Sequence, residues 1–392
     1  MPEPPEIRLL LSCAQSRREP ERTAGIEVLL RSEMNWDLVL RHAHYHRVTP
    51  LLFRQLSAFP PGLVPPGIMS TLGAYSQDHS LRNLYLAREL LGLLHEFEAR
   101  GIRAIPYKGP VLASLAYGNL ALREFGDLDI LVRRQDVLRA KDLLISSGFR
   151  PMQGLTRSQE IVYLRYGDQY SYVRERDGTL VEIHWGFASR AFSFLLATKR
   201  QWWQLENVAV GGSAVRTFSP EDLLLILCVH GAMHLWKRLQ WVCDVAELIQ
   251  ARGVKDWDRL LQRSTEMGCG RALLLGLSLT QDLLGTGLPE PVARRLRADP
   301  ATGALVKEVG VRLFEDTADL QGPVEERAFQ TFHVKVLERM WDKARYCVRQ
   351  ATVPSWEDCE LIPLPAYLFP AYRLLRPIRL AGKYAQRLFH KA

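Results

Sequence analysis

The run Gly126-Asp127-Leu128-Asp129-Ile130-Leu131-Val132 constrains the fold of this chain more than any other segment. Its alternation of acidic and apolar residues has the period of a β-strand, in which alternate side chains share a face. Asp127 and Asp129 therefore project together, while Leu128, Ile130 and Val132 point into a core. Two carboxylates held side by side repel, and a divalent cation relieves that repulsion. Magnesium takes oxygen ligands, commonly one or two carboxylates plus the phosphates of a substrate. A third acid is expected nearby, and Thr179-Leu180-Val181-Glu182-Ile183-His184-Trp185 offers it. If this later strand neighbours the first, Glu182 completes a triad, with His184 on the same face.

The surrounding pattern predicts an α+β fold built on a small mixed sheet. Ile102 to Tyr107 is short and apolar, and Tyr170 to Val173 and Thr179 to Trp185 are rich in β-formers, with Arg176-Asp177-Gly178 as a hairpin turn between them. Pro110 to Tyr117 and Gln135 to Ser147 read as helices, the second closed by Gly148. Before the sheet, from Glu6 to about Arg100, apolar residues such as Leu86, Leu90, Leu94 and Phe97 recur at helical spacing. After it, Ser219-Pro220-Glu221-Asp222 supplies an N-cap, a first-turn proline and two acids, and helical patterns continue to about Ala351. The expected layout is an N-terminal helical region over 1–100, an α/β core over 101–218 and a C-terminal helical region with a basic tail over 219–392. No internal repeat or flexible linker divides these parts.

Residues 107 to 150 carry Tyr107-Lys108-Gly109-Pro110, Tyr117-Gly118, Arg123 and the aspartate strand, followed by a helix and Gly148-Phe149. This stretch resembles the polymerase-beta-like nucleotidyltransferase superfamily, above all a bacterial branch described as uncharacterised nucleotidyltransferases. The resemblance extends to Val181-Glu182-Ile183-His184-Trp185, to His230 through Asp244 and, more loosely, to Leu375-Arg376-Pro377. It implies that Asp127, Asp129 and Glu182 are the catalytic residues and bind two metals, magnesium or manganese. It further implies a nucleoside triphosphate donor, with ATP expected, and transfer of its monophosphate to a hydroxyl of a small molecule, a peptide or a protein.

One departure bears on the phosphates. The superfamily's Gly-Gly or Gly-Ser before a helix appears here as Lys108-Gly109-Pro110, and a proline has no N–H to donate. Lys108 offers an ammonium in compensation, beside the turn at Gly109. Arg123 is a second phosphate candidate, with a surface salt bridge as its alternative. The altered cradle also supports a different reading, a catalytically impaired nucleotide-binding or regulatory protein of the same fold.

Placed on one helix, His230, His234, Lys237, Trp241 and Asp244 follow steps of four, three, four and three and form a stripe. Such a stripe is either a buried hydrogen-bond network or a wall of the site, in which His230 and His234 serve as base or phosphate donor. Gly231 stands where a zinc protease has its glutamate, which disfavours that mechanism. His42, His44 and His46 are expected to pack helices, because no acid or cysteine is spaced to complete a metal site.

Six cysteines without a CxxC pair suit neither zinc nor a disulfide framework. The start does not read as a signal peptide, and the longest apolar stretch, Leu223 to Leu235, is broken by two histidines, so a cytoplasmic setting is expected. The net charge of +8 fits an anionic partner, yet acids and bases are interspersed and no aromatic-basic stacking surface is evident, which argues against nucleic acid. The tail concentrates Arg373, Arg376, Arg379, Lys383, Arg387 and Lys391 with no acid after Glu360, and Pro377 is expected to interrupt its helix. It is expected to pack on the protein rather than bind a membrane stably.

Overall fold

The computed structural model describes residues 4–187, 205–315 and 326–354, together with 358, 361, 364, 368 and 371–389. Helices α1 (Pro5–Cys13), α2 (Pro20–Leu30), α3 (Trp36–Tyr45), α4 (Thr49–Leu56) and the long α5 (Pro66–Ala99) come first. Helix α5 buries Leu86, Leu90, Leu93 and Phe97, a stripe at helical spacing, against the sheet that follows. That sheet uses β1 (Ala104–Pro106), β2 (Asp127–Val132), β3 (Arg150–Pro151), β4 (Gln169–Arg174) and β5 (Thr179–His184), in the spatial order β1-β2-β5-β4-β3.

Strands β2 and β5 run parallel while the other pairs are antiparallel, as the mixed sheet expected from the sequence requires. One face is apolar: Leu128, Ile130, Val181 and Ile183 pack with Leu143 and Leu144 of helix α7 (Val137–Ser146) and with α5. The acids of β2 and β5 are thereby turned to the opposite face. Between β1 and β2, helix α6 (Gly109–Leu112) widens into π-helical turns over Ala113–Tyr117, where the sequence predicts one regular helix. Helix α8 (Arg157–Tyr166) precedes β4, and a separate ribbon of β6 (Leu205–Val210) and β7 (Ser213–Phe218) leads into the helical region.

That region comprises α9 (Pro220–Met233), α10 (Leu239–Arg252), α11 (Trp257–Glu266), α12 (Gly270–Leu284), α13 (Glu290–Arg297), α14 (Pro300–Leu313), α15 (Glu326–Val336), α16 (Met340–Thr352) and α17 (Tyr372–Phe389). Every residue from Leu223 to Val229 is buried, so α9 is apolar all round and lies at the centre of the packing. Leu9 and Leu10 of α1 share its core with α10 and α12, which ties the N-terminal helices to the later helical region in one apolar cluster.

Two expectations are corrected here. His230 to Asp244 do not lie on one helix, because α9 ends at Met233 and α10 begins at Leu239. In the turn, Leu235 and Trp236 take left-handed backbone, at φ 58° and 50°. The Trp236 N–H donates to the Gly231 carbonyl at 2.8 Å, and its ring folds under α9. Gly231 is needed for this, since a Cβ there would stand 2.5 Å from the indole. Second, Pro377 lies inside α17 without ending it. Proline removes one hydrogen bond to the preceding turn, and Arg376 and Arg379, on either side of it, both pair with Asp358. The described part of the basic tail thus docks on the body of the protein, whereas the side chains of Lys383 and Arg387, and all of Lys391, lie outside the described residues. No helix among the described residues is long and apolar enough to cross a membrane.

Candidate active site

The parallel register sets Asp129 directly opposite Glu182, and Asp127 and His184 follow on the same face. His184 Nε2 lies 3.1 Å from Asp129 Oδ1 and 3.4 Å from Glu182 Oε2. Ser171 on β4 donates to Glu182 Oε1 at 3.2 Å, which fixes the carboxylate from behind. Lys108 Nζ donates to Asp129 Oδ1 at 3.4 Å and stands 3.3 Å from His230 Nδ1. The lysine is aimed by Gly109, whose φ of 54° suits glycine and whose absent Cβ would lie 3.2 Å from the Asp127 carbonyl oxygen. Lys108, Asp127, Asp129, Glu182, His184 and His230 line a cleft of about 290 Å³.

The charges in this cleft are strongly coupled. Burial raises the Asp127 carboxyl to about 6, helped by the neighbouring charge of Asp129 and opposed by Lys108. Burial also acts against ionisation of Asp129, but Lys108 and His184 outweigh it and hold that carboxyl well below its usual range. For His184, burial would lower the pKa, yet hydrogen bonds to Asp129 and Glu182 raise it to about 9. Its imidazolium therefore stands between two carboxylates, where a positive charge is favoured. His230 is pushed well below its ordinary value by burial and Lys108, and His234 to about 4 by the same causes, so both are neutral near pH 7.

One ligand atom each from Asp129, Glu182 and His184 lies within 4.8 Å of the others, a set able to hold a cation. Asp127 lines the same cleft but is not part of that set. Asp129 and Glu182 supply two oxygens that suit a divalent ion, and the His184 nitrogen joins them only once a bound cation displaces its proton, since an imidazolium has no lone pair to give.

Arg123 is placed differently from either sequence alternative. It is buried, and its guanidinium is engaged in a bidentate pair with Asp244 at 2.7 and 2.9 Å, while Tyr117 Oη donates to the same carboxylate at 2.8 Å. The group thus anchors the turn before β2 to α10 rather than presenting a free cation or a surface bridge. His230, His234 and Trp241 do cluster, with ring centroids 4.5 to 5.6 Å apart, and all three line the cleft. His42 and His46 stack at 5.7 Å, and His46 Nδ1 accepts the Leu239 N–H at 3.2 Å, the packing role expected of them.

Sequence reasoning missed Asp168, Glu124 and Arg47, which also line the cleft. Asp168 precedes β4 as Asp127 opens β2, a weak signal at a strand start; Glu124 and Arg47 carry no local signal, since other elements bring them in.

An α+β protein with an acidic, cation-ready face on its sheet is the class that fold and site define. Residues 32–285 match the family model described as uncharacterised nucleotidyltransferase, and the chain belongs to that family. The matched span contains Lys108, the three acids, His184, His230, His234 and Asp244. No curated protein matches the chain. Among solved structures, an antigenic nucleotidyltransferase-like protein from Paracoccidioides brasiliensis is similar over 59% of this chain and 93% of its own, at 14% identity and a TM-score of 0.29.

Proposed function

We propose that the protein moves a nucleoside monophosphate, AMP foremost, from a triphosphate to a hydroxyl of a small molecule, peptide or protein, with magnesium or manganese. The observation that carries this reading is the register of Asp129 against Glu182 on adjacent parallel strands, with Asp127 two residues away on the same face. Asp127, Asp129 and Glu182 would hold the metal, which when bound offsets phosphate charge and sharpens the attacking oxygen. The chain's own groups do the rest. Lys108 faces Asp129 and supplies an ammonium for the phosphates in place of the amide that Pro110 lacks. Glu182, steadied by Ser171, takes the proton of the acceptor hydroxyl as its oxygen attacks the α-phosphorus and pyrophosphate leaves. In this reading the sheet over 101–218 is the catalytic core of a cytoplasmic enzyme, and the helical regions close its cleft.

Pro110 at the start of α6 favours one other reading, a nucleotide-binding protein without turnover. Pyrophosphate release from ATP and magnesium, across a panel of hydroxyl acceptors that includes the chain itself, separates the two. Release supports the transferase. Binding of a non-hydrolysable triphosphate with no release under either metal supports the alternative, and absence of binding contradicts both.

A further inference from the structure

A second cavity, of about 850 Å³, adjoins the acidic cleft and shares Arg47, Glu124, Phe125 and Trp241 with it. Its charge is opposite. Arg41 and Arg47 reach it from α3 and the turn after it, Arg82 from α5, and Lys237 and Arg238 from the turn between α9 and α10. None of these cations forms an ion pair with a described residue. Arg238 donates to the Tyr45 carbonyl and lies over that ring at 4.9 Å, and Arg82 reaches the Gly178 carbonyl at 3.5 Å, so both partners are neutral.

Among the described residues the positive field is relieved by no ion pair to these five cations, and Glu124 offsets it only in part. Burial lowers the Lys237 pKa, and Arg312 and Arg238 lower it further; burial and then Arg47 lower that of Arg238. His79, on the same wall, is lowered by burial and by Arg47, His44 and Arg82. Glu124 is the acid among the described lining residues, and burial raises its carboxyl to about 7, which blunts its charge at neutral pH. Arg47, at the shared rim, holds left-handed backbone at φ 56°. Outside glycine such backbone is strained and persists at sites where surrounding structure demands it.

We propose that this basic vestibule is the acceptor subsite, and that it takes an acceptor carrying a phosphate or comparable dianionic group. The inference rests on the proposed transferase reading and adds the chemical class of its second substrate. The donor's phosphates belong with Lys108 and the acids, which would hold the cation those phosphates require. The vestibule has cations without that carboxylate set and opens on Glu124 to Gly126, immediately before Asp127, so an anchored acceptor would present its hydroxyl to the aspartates. Its volume accommodates a drug-sized ligand.

Calorimetry with inorganic phosphate tests this, first without metal and then with saturating magnesium and a non-hydrolysable ATP analogue. Phosphate should bind in both conditions. Arg41→Gln combined with Lys237→Gln should weaken phosphate about tenfold or more and change analogue affinity less than twofold, with melting unchanged because neither side chain is a core residue. Displacement of phosphate by the analogue would overturn the proposal by giving these cations to the donor, as would phosphate affinity indifferent to the double substitution. Failure of the analogue itself to bind would instead sink the transferase reading and the acceptor role with it.

Discussion

Asp244→Asn should unfold the protein more readily than its conservative shape suggests. Arg123 is 6% exposed and Asp244 0%, so neither charge has water to fall back on. The carboxylate accepts from Arg123 Nε, Arg123 Nη2 and Tyr117 Oη. Asparagine replaces one acceptor oxygen with a donor facing a donor and leaves the guanidinium uncompensated. Breaking a buried pair in this way costs about 3–5 kcal/mol. Arg123→Met should cost a similar amount by stranding the carboxylate. In the double variant Arg123→Met/Asp244→Leu both charges are gone; the Tyr117 hydroxyl loses its partner, at about 1–3 kcal/mol, but the larger penalty is relieved. Urea unfolding followed by tryptophan fluorescence should show the double variant more stable than either single one, with a coupling of at least about 2 kcal/mol. Losses that simply add would refute the buried pair. The double variant also decides the role of Arg123: pyrophosphate release retained in a folded double variant agrees with anchoring, and its loss there would return Arg123 to the phosphates.

Gly231→Ala should lower stability by about 1–3 kcal/mol, because its Cβ would overlap the Trp236 ring; an unchanged melting temperature would show that the turn relaxes freely. Acid should destabilise the fold early. Burial holds His46 at about 3 and His333 at about 4, below the ordinary 6.5, so the unfolded chain takes up protons first. Their contribution is present above pH 6.5 and is lost as pH falls toward 3 to 4, a swing of several kcal/mol that a His46→Gln variant should reduce in a pH series of unfolding curves. Glu124 works in the other direction, since burial raises it from 4.5 to about 7. Its contribution is present below pH 4.5 and lost as pH rises through 7, so Glu124→Gln should gain about 2–3 kcal/mol on wild type between pH 5 and pH 8; a constant difference across that range would contradict the buried carboxyl.

The parts of the fold readable in the sequence are those specified by neighbours along the chain. The β2 alternation of acid and apolar residues, the Asp177-Gly178 turn and the Ser219-Pro220 start of α9 all appear as expected. The histidine stripe shows the limit. Its members meet in the cleft, but through a turn built on Trp236, whose place depends on Gly231 and on Gly276 in α12, a contact no local period encodes. Arg123 was similarly opaque, because its partner lies 121 residues away. Glu124 and Arg47 acquire meaning when α3, the turn before β2 and α10 converge, and the vestibule they share with Arg41 and Lys237 follows from that convergence.

The central claim is tested most directly by turnover of Asp127→Asn, Asp129→Asn and Glu182→Gln beside the wild type, with magnesium or manganese and ATP, each variant first shown to be folded by melting. Asparagine keeps the shape of each aspartate but removes the charge that attracts the cation, so both changes should abolish pyrophosphate release. Asp127→Asn should also be at least as stable as wild type without metal, since it removes a charge disfavoured first by burial and then by the neighbouring Asp129. Glu182→Gln should cripple release while weakening triphosphate binding less than the aspartate changes do. Near-wild-type release from Asp127→Asn or Asp129→Asn would contradict the account.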